Sequence, residues 1–299
     1  MKRNRLLSSL IGWVLAVNLC LAQNKAVVFQ SDFGLKDGAV SAMKGVAFGV
    51  SPDLRLFDLT HEIPAYNIWE AAYRLQQTAP YWPAGTVFVS VVDPGVGSAR
   101  KSVVLKTRSG HYFVTPDNGT LTLVAPLLGI ESVREIDEAV NRRRDSGKSY
   151  TFHGRDVYAY TAARLAAGTI TFEQVGPELA KEVVRIPHQP PVFEKGLIKG
   201  SIPVLDIQYG NIWTNIGEDT FRKLSIKHGD VLNVRIRKGA QTVFDGKMPF
   251  VSTFASVPEG SNLAYLNSLL NLSFAVNMGN FSEHHKVYSG PEWVVEVSR

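Results

Sequence analysis

The sequence predicts an α/β protein: an N-terminal α/β domain with a central, mostly parallel sheet, then a smaller, mostly β, barrel-like C-terminal domain. Three observations carry this. The 299 residues are 45% hydrophobic and 20% charged, an ordinary globular balance with length for two domains. From Ala26 onward short β-rich runs alternate with helical ones, the order that gives a parallel sheet with helices on its faces. Around His188-Gln189-Pro190-Pro191-Val192 two prolines break that pattern, and β-rich runs with little helix follow.

Taken in order, the first strand is Ala26-Val27-Val28-Phe29, followed by a helix over residues 39–49 and a strand over 54–59. The next helix covers 67–77. Asn67 stands at its N-cap with Glu70 three residues on, and Ile68, Ala71, Ala72 and Leu75 form its apolar stripe. A buried strand covers 86–92. Asn141-Arg142-Arg143-Arg144-Asp145 reads as a solvated basic turn. A helix over 157–167 ends at Gly168, a C-terminal cap. The expected domains are 25–187 and 196–299, joined by a linker at 188–195, with β-rich runs at 231–236 and 293–297 in the second.

Residues 1–22 read differently. Lys2, Arg3 and Arg5 precede an uncharged run from Leu6 to Val17, and Cys20-Leu21-Ala22 places small residues where a signal peptidase cuts. The expectation is an exported, periplasmic or secreted protein without stable membrane association after cleavage. A retained transmembrane anchor and a lipidated Cys20 are the alternatives. Cleavage removes three basic side chains and no acid from a formal charge of +5, so net charge gives no argument for nucleic acid. Cys20 is the sole cysteine, so a cleaved chain has no disulfide, zinc-thiolate site or cysteine nucleophile. Chemistry then falls to oxygen and nitrogen groups.

Four motifs set Asp, Asn, His or Arg beside glycine at a strand or loop end, where backbone approaches a ligand closely. Ser31-Asp32-Phe33-Gly34 ends the first strand and puts a carboxylate where a ribose diol is held. Asp93-Pro94-Gly95-Val96-Gly97 forces a tight turn that returns Arg100 towards Asp93. Thr115-Pro116-Asp117-Asn118-Gly119 is a strong turn signature that shapes a pocket wall. Phe152-His153-Gly154-Arg155-Asp156 concentrates an imidazole and both charge signs before a helix. Beyond the linker, Asp206 precedes Tyr209-Gly210-Asn211-Ile212-Trp213-Thr214-Asn215, where amides and an indole alternate. Each motif on its own also suits a structural turn or cap.

Together and in this order, these motifs resemble the S-adenosylmethionine hydroxide adenosyltransferase family, relatives of the fluorinating and chlorinating enzymes, over the chain from Ala26 onward. The resemblance implies a catalytic set of Asp93, Arg100 and His153, with Asp32 on the ribose hydroxyls. It places Asp206 and Asn211 on the methionine end, Tyr66, Tyr209, Trp213 and Phe254 as aromatic walls, and Ser268 and Asn277 on the adenine side. Leu269 departs from relatives that carry a polar or charged residue there. The halogenating relatives have Tyr and Thr where this chain has Asp93 and Val96, and an extra loop that residues 101–114 are too short to contain. The implied reaction is therefore hydrolysis of S-adenosyl-L-methionine to adenosine and L-methionine.

The substrate carries its own leaving group, so the resemblance implies no metal and no separate cofactor. Asp93 is expected to take the proton of water, His153 to act as second partner or relay, and Arg100 to stabilise developing hydroxide. A small molecule is the expected partner, and the resemblance implies a homotrimer with sites between subunits. The same residues also allow an exported adenosine-binding protein without turnover.

Overall fold

A computed structural model describes residues 24–299; the signal-peptide expectation for residues 1–22 lies outside them. The N-terminal part contains β1 (Ala26–Ser31), α1 (Ala39–Val50), β2 (Arg55–Thr60), α2 (Ile68–Thr78), β3 (Val87–Val91), β4 (Ser102–Thr107), β5 (Tyr112–Pro116), α3 (Val124–Leu128), β6 (Ile130–Glu135) and α4 (Glu138–Asn141). A π-helical segment (Gly154–Ala159), α5 (Tyr160–Ala166) and β7 (Glu178–Leu179) complete it.

Seven strands form one sheet in the order β2-β1-β3-β5-β4-β6-β7. β2, β1, β3 and β5 run parallel, whereas β4, β6 and β7 each pair antiparallel with their neighbours. The expected parallel sheet is thus a mixed sheet, parallel at its centre. The short connection between β4 and β5 makes a hairpin, for which no crossover helix is needed. β1 and β3 are buried along their whole length because helices cover both faces. Two of their polar residues are joined across the ladder: Gln30 Nε2 donates to Ser90 Oγ (2.8 Å) and to the carbonyl of Ala71 (3.0 Å).

Asn67 caps α2 as expected, its side chain accepting from the Glu70 N–H (3.0 Å). The reciprocal half of the box does not form, because Glu70 turns to Arg74 (2.7 Å) and the Asn67 N–H goes to Pro64. The helix expected to begin at residue 157 is preceded by the π-helical turn from Gly154, a form concentrated at functional sites.

The remainder is β8 (Val192–Glu194), β9 (Leu197–Ile202), β10 (Val204–Asp206), β11 (Asn211–Gly217), α6 (Glu218–Phe221), β12 (Val231–Lys238), β13 (Gln241–Pro249), β14 (Asn262–Leu266), β15 (Asn271–Val276), α7 (Phe281–His285) and β16 (Gly290–Ser298). In place of a barrel-like closure, the ladders make a four-stranded sheet, β10-β11-β15-β14, and a five-stranded sheet, β13-β12-β16-β9-β8. One core fills the space between them, with Ile212 and Phe274 from the first and Ile198, Leu232 and Val295 from the second. Pro249 ends β13, and beyond it a lone bridge from Phe250 to Ala264 links the sheets. Part of the expected linker, β8, pairs with β9 as an edge strand. Among the described residues no helix is long and apolar enough to cross a membrane.

Candidate active site

The chain runs from β1 to β2 on one side of β1 and then to β3 on the other, so the strand order switches direction between β1 and β3. In open α/β sheets the crevice at the carboxyl ends of such a strand pair is where ligands bind. Ser31 pairs with Val91 in that ladder, which sets Asp32 and Asp93 at the same edge. A cavity of about 250 Å3 lies there, lined by Asp32, Tyr66, Asp93, Val96, Thr151 and His153, with Phe33 and Phe152 among the rest.

The turn after β3 closes through the Val96 N–H to the Asp93 carbonyl (3.2 Å), with Gly97 at φ +78°. At Gly95 a Cβ would stand 3.2 Å from Ser98 Oγ, a tight approach, and 3.6 Å from Arg100 Cγ, an ordinary contact, so a side chain there crowds Ser98 inside the turn. Arg100 then meets Asp93 as a two-pronged pair: Nε donates to Oδ1 (2.8 Å) and Nη2 to Oδ2. Both side chains are nearly buried. Arg100 Nη1 donates to Ser102 Oγ (3.0 Å), which contacts the Tyr158 hydroxyl (3.1 Å). Burial opposes the Arg100 charge, but Asp93, with Tyr158 and Glu138, more than offsets it and holds the guanidinium above its usual range.

His153 sits where the loop enters the π-helical segment. Its Nδ1 is 2.9 Å from Arg100 Nη2 and its Nε2 is 2.8 Å from Arg142 Nη2. Burial lowers the imidazole below its usual range; Arg100 and Arg142 add to that, while Glu138 and Asp93 oppose it. The ring is therefore uncharged near neutral pH. Arg142 lies in the stretch read as a solvated turn, and the structure corrects that reading. Its side chain is only 9% exposed, held by Glu138 Oε2 through Nε (2.9 Å) and Nη2 (2.6 Å), with its guanidinium 4.6 Å over the Tyr150 ring. Arg143 pairs with the buried Asp156 (3.1 Å).

The other motifs divide between chemistry and support. Asp32 Oδ2 accepts from the Tyr66 N–H (2.9 Å), fixing a non-glycine residue at φ +68°. Asn118 donates to the Val92 carbonyl (2.9 Å) just before Asp93, and Asp117 accepts from the Val184 N–H (2.9 Å). The third motif thus braces the exit of β3, as a wall-forming turn should.

The residues expected to bind the rest of a substrate are not in this cavity. Asp206, Tyr209, Asn211, Trp213, Phe254, Ser268 and Asn277 line a second one, of about 820 Å3, between β11 and the segment after β15. There Asn211 donates to Asp206 (3.1 Å), Asn277 donates to the Val257 carbonyl (2.8 Å), and Phe254 and Tyr265 lie ring to ring at 5.0 Å. Burial pushes the Tyr265 phenol up to about 12. Leu269, the departure beside Ser268, packs on Tyr73, Val204 and Trp213.

Comparison with known proteins decides the family. Residues 27–176 match the SAM hydroxide adenosyltransferase N-terminal domain and residues 200–294 its C-terminal domain. The chain belongs to this family. It is similar to an (R)-S-adenosyl-L-methionine hydrolase of Methanocaldococcus jannaschii, 39% identical over 71% of this chain and 73% of that one. A protein of the same name from Thermus thermophilus is 36% identical over 87% and 94%. A fluorinase of Actinopolyspora mzabensis is 28% identical over 88% and 94%. Among solved structures, an uncharacterized conserved protein from Thermotoga maritima superposes with a TM-score of 0.84 at 36% identity, over 91% of this chain and all of that one. Among the described residues of this family member, no group of three or more His, Cys, Asp or Glu is placed to hold a metal ion.

Proposed function

We propose that this chain hydrolyses S-adenosyl-L-methionine to adenosine and L-methionine. The observation that carries the reading is the clustering of Asp93, Arg100 and His153, with Arg100 paired to Asp93 and 2.9 Å from His153 Nδ1, at a cavity that also contains Asp32. The oxygen of water forms a bond to C5′ of the ribose while the C5′–S bond breaks, and sulfur keeps the electron pair as the thioether of methionine. One water proton passes to the Asp93 carboxylate, and Arg100 stabilises the hydroxide character that develops. Sulfur leaves neutral, so the site needs a positioned nucleophile more than an acid. A halide placed beside Asp93 meets like charge in a site screened from bulk water, which favours water over chloride or fluoride. Incubation with substrate in 18O-labelled water tests this: label is expected on the 5′ oxygen of adenosine, and unlabelled adenosine or no product overturns it.

Asp32 takes the ribose hydroxyls, Asp206 and Asn211 the methionine end, and Ser268 and Asn277 the adenine side, with Tyr66, Tyr209, Trp213 and Phe254 as walls. The two cavities act together as one site, the first from one subunit and the second from its neighbour in a homotrimer. The exposure of Tyr66 (72%) and Tyr209 (65%), one at each cavity, supports this arrangement. Light scattering in solution tests the trimer. Residues 1–22 serve as an export signal, supported by Lys2, Arg3 and Arg5 before an uncharged run; the mass of the mature N-terminus tests cleavage.

A further inference from the structure

His153 poses a hydrogen-bond problem that the reaction scheme leaves open. A neutral imidazole donates at one nitrogen and accepts at the other, whereas a guanidinium only donates. Here both ring nitrogens face a guanidinium, Nδ1 at Arg100 and Nε2 at Arg142. One contact is a hydrogen bond, and the other sets N–H against N–H. An imidazolium would have no acceptor on either side.

The two sides differ in what can relieve that conflict. Behind Nε2, Arg142 is fixed by Glu138 and by the Tyr150 ring, and none of these three lines the cavity. Beside Nδ1, Arg100 is paired with Asp93, which does line it. An oxygen entering on that side can accept from an Nδ1–H and from Arg100 while donating to Asp93. On the Arg142 side the mismatch has no such outlet.

We propose that Arg142, clamped by Glu138, is a positioning residue that holds His153 in the Nδ1–H tautomer, so that the imidazole donates to the attacking oxygen and does not take its proton. This rests on the hydrolytic reading and revises one role within it: His153 is a donor, and Asp93 is the sole proton acceptor. The full array is Asp93–Arg100–His153–Arg142–Glu138, with a carboxylate–guanidinium pair on each side of an uncharged ring, so that its charges cancel. The Tyr150 and Tyr158 rings meet the imidazole edge-on at 6.3 and 6.4 Å and complete its surroundings.

The test is 15N NMR of the full-length protein labelled at histidine, with His153 assigned by loss of its signals in His153→Gln. The wild type is expected to show a protonated Nδ1 and an accepting Nε2 near neutral pH; a protonated Nε2 overturns the proposal whatever the variants do. In Arg142→Met the Nε2–H form should appear and kcat should fall by about tenfold or more, with KM within about twofold and partial rescue by Arg142→Lys. The acid limb of kcat should move to higher pH in Arg142→Met, which loses a cation beside the ring, and to lower pH in Glu138→Gln, which loses an anion. Unchanged ring signals and kcat in Arg142→Met also overturn it. The tautomer is read without turnover, so a wild type that shows Nδ1–H yet releases no adenosine refutes the hydrolytic reading instead.

Discussion

At the carboxyl ends of β1 and β3 polar side chains pack on one another in a continuous run, from Asp93 through Arg100, His153 and Arg142 to Glu138. The cavity beside β11 is the reverse. It is more than three times as large, and one of its lining residues, Asn267, has a buried nitrogen without a hydrogen-bond partner. Buried polar atoms normally find partners, and exceptions mark places where something else supplies one. The difference teaches a division of labour. The first cavity fixes the atoms that must not move during bond making, and the second keeps area and hydrogen-bonding capacity for a ligand.

That division fails most visibly if Asp93 can be neutralised cheaply. Asp93→Asn keeps the shape but removes the proton acceptor and leaves Arg100 without its counter-charge; kcat should fall by roughly 10²–10⁴-fold. Adenosine affinity by calorimetry should stay within a few-fold, because recognition lies elsewhere. Equal losses in both would merge the two roles. The next largest effect is on acid. His153 is held below its ordinary value of 6.5, so its uncharged form persists through neutral pH and is lost as pH falls through that depressed value. The acid limb of kcat should therefore lie below 6.5, falling about tenfold per pH unit beneath its midpoint. A limb centred at or above 6.5 in a pH-rate profile would contradict the burial and the flanking guanidinium groups assigned to His153.

The two cavities were not equally legible in the sequence. Asp93 and Arg100 are seven residues apart across a glycine turn, and His153 opens a helix, so local chemistry pointed to each. The central strands announced themselves by β-branched and aromatic runs, and α2 by Asn67. Glu138 and Arg142 gave a weaker signal, an i,i+4 pair behind Asp137, whose side chain caps α4. α4 has only four residues, too few to show a periodic face, and Arg142 stood in a basic run. Its burial depends on Tyr150 and His153, which the fold alone brings together. Similarly, the antiparallel half of the first sheet depends on which strands pair, and alternation of runs does not encode pairing. The barrel-like expectation is not confirmed for the same reason: the β-rich runs form antiparallel sheets, but closure is a property of ladders.

On the recognition side the expected effects are smaller. Trp213→Ala removes a flat apolar wall, for which loss of one aromatic contact of about 0.5–1.5 kcal/mol predicts a KM raised roughly two- to twelvefold. Its kcat should be nearly unchanged, since Trp213 touches none of the five charged-array residues within hydrogen-bonding distance. Initial-rate measurements at saturating substrate separate the two, and a kcat loss comparable to that of Asp93→Asn would break the division of labour.

The sharpest form of the comparison asks whether the two cavities of one working site belong to one chain. Co-expressing Asp93→Asn with the doubly substituted Asn211→Ala/Trp213→Ala chain, each with its own affinity tag, yields mixed oligomers after sequential purification. If a site joins the first cavity of one subunit to the second cavity of its neighbour, an unaltered site arises wherever an Asn211→Ala/Trp213→Ala subunit offers its first cavity to an Asp93→Asn subunit's second. Each mixed cyclic trimer, whichever chain it holds twice, has one intact site in three, so activity at low substrate should recover to roughly a third of the wild type. If both cavities serve within one chain, every site keeps one defect. Activity then stays at the level of the parent variants, because no arrangement of subunits can pair an intact first cavity with an intact second.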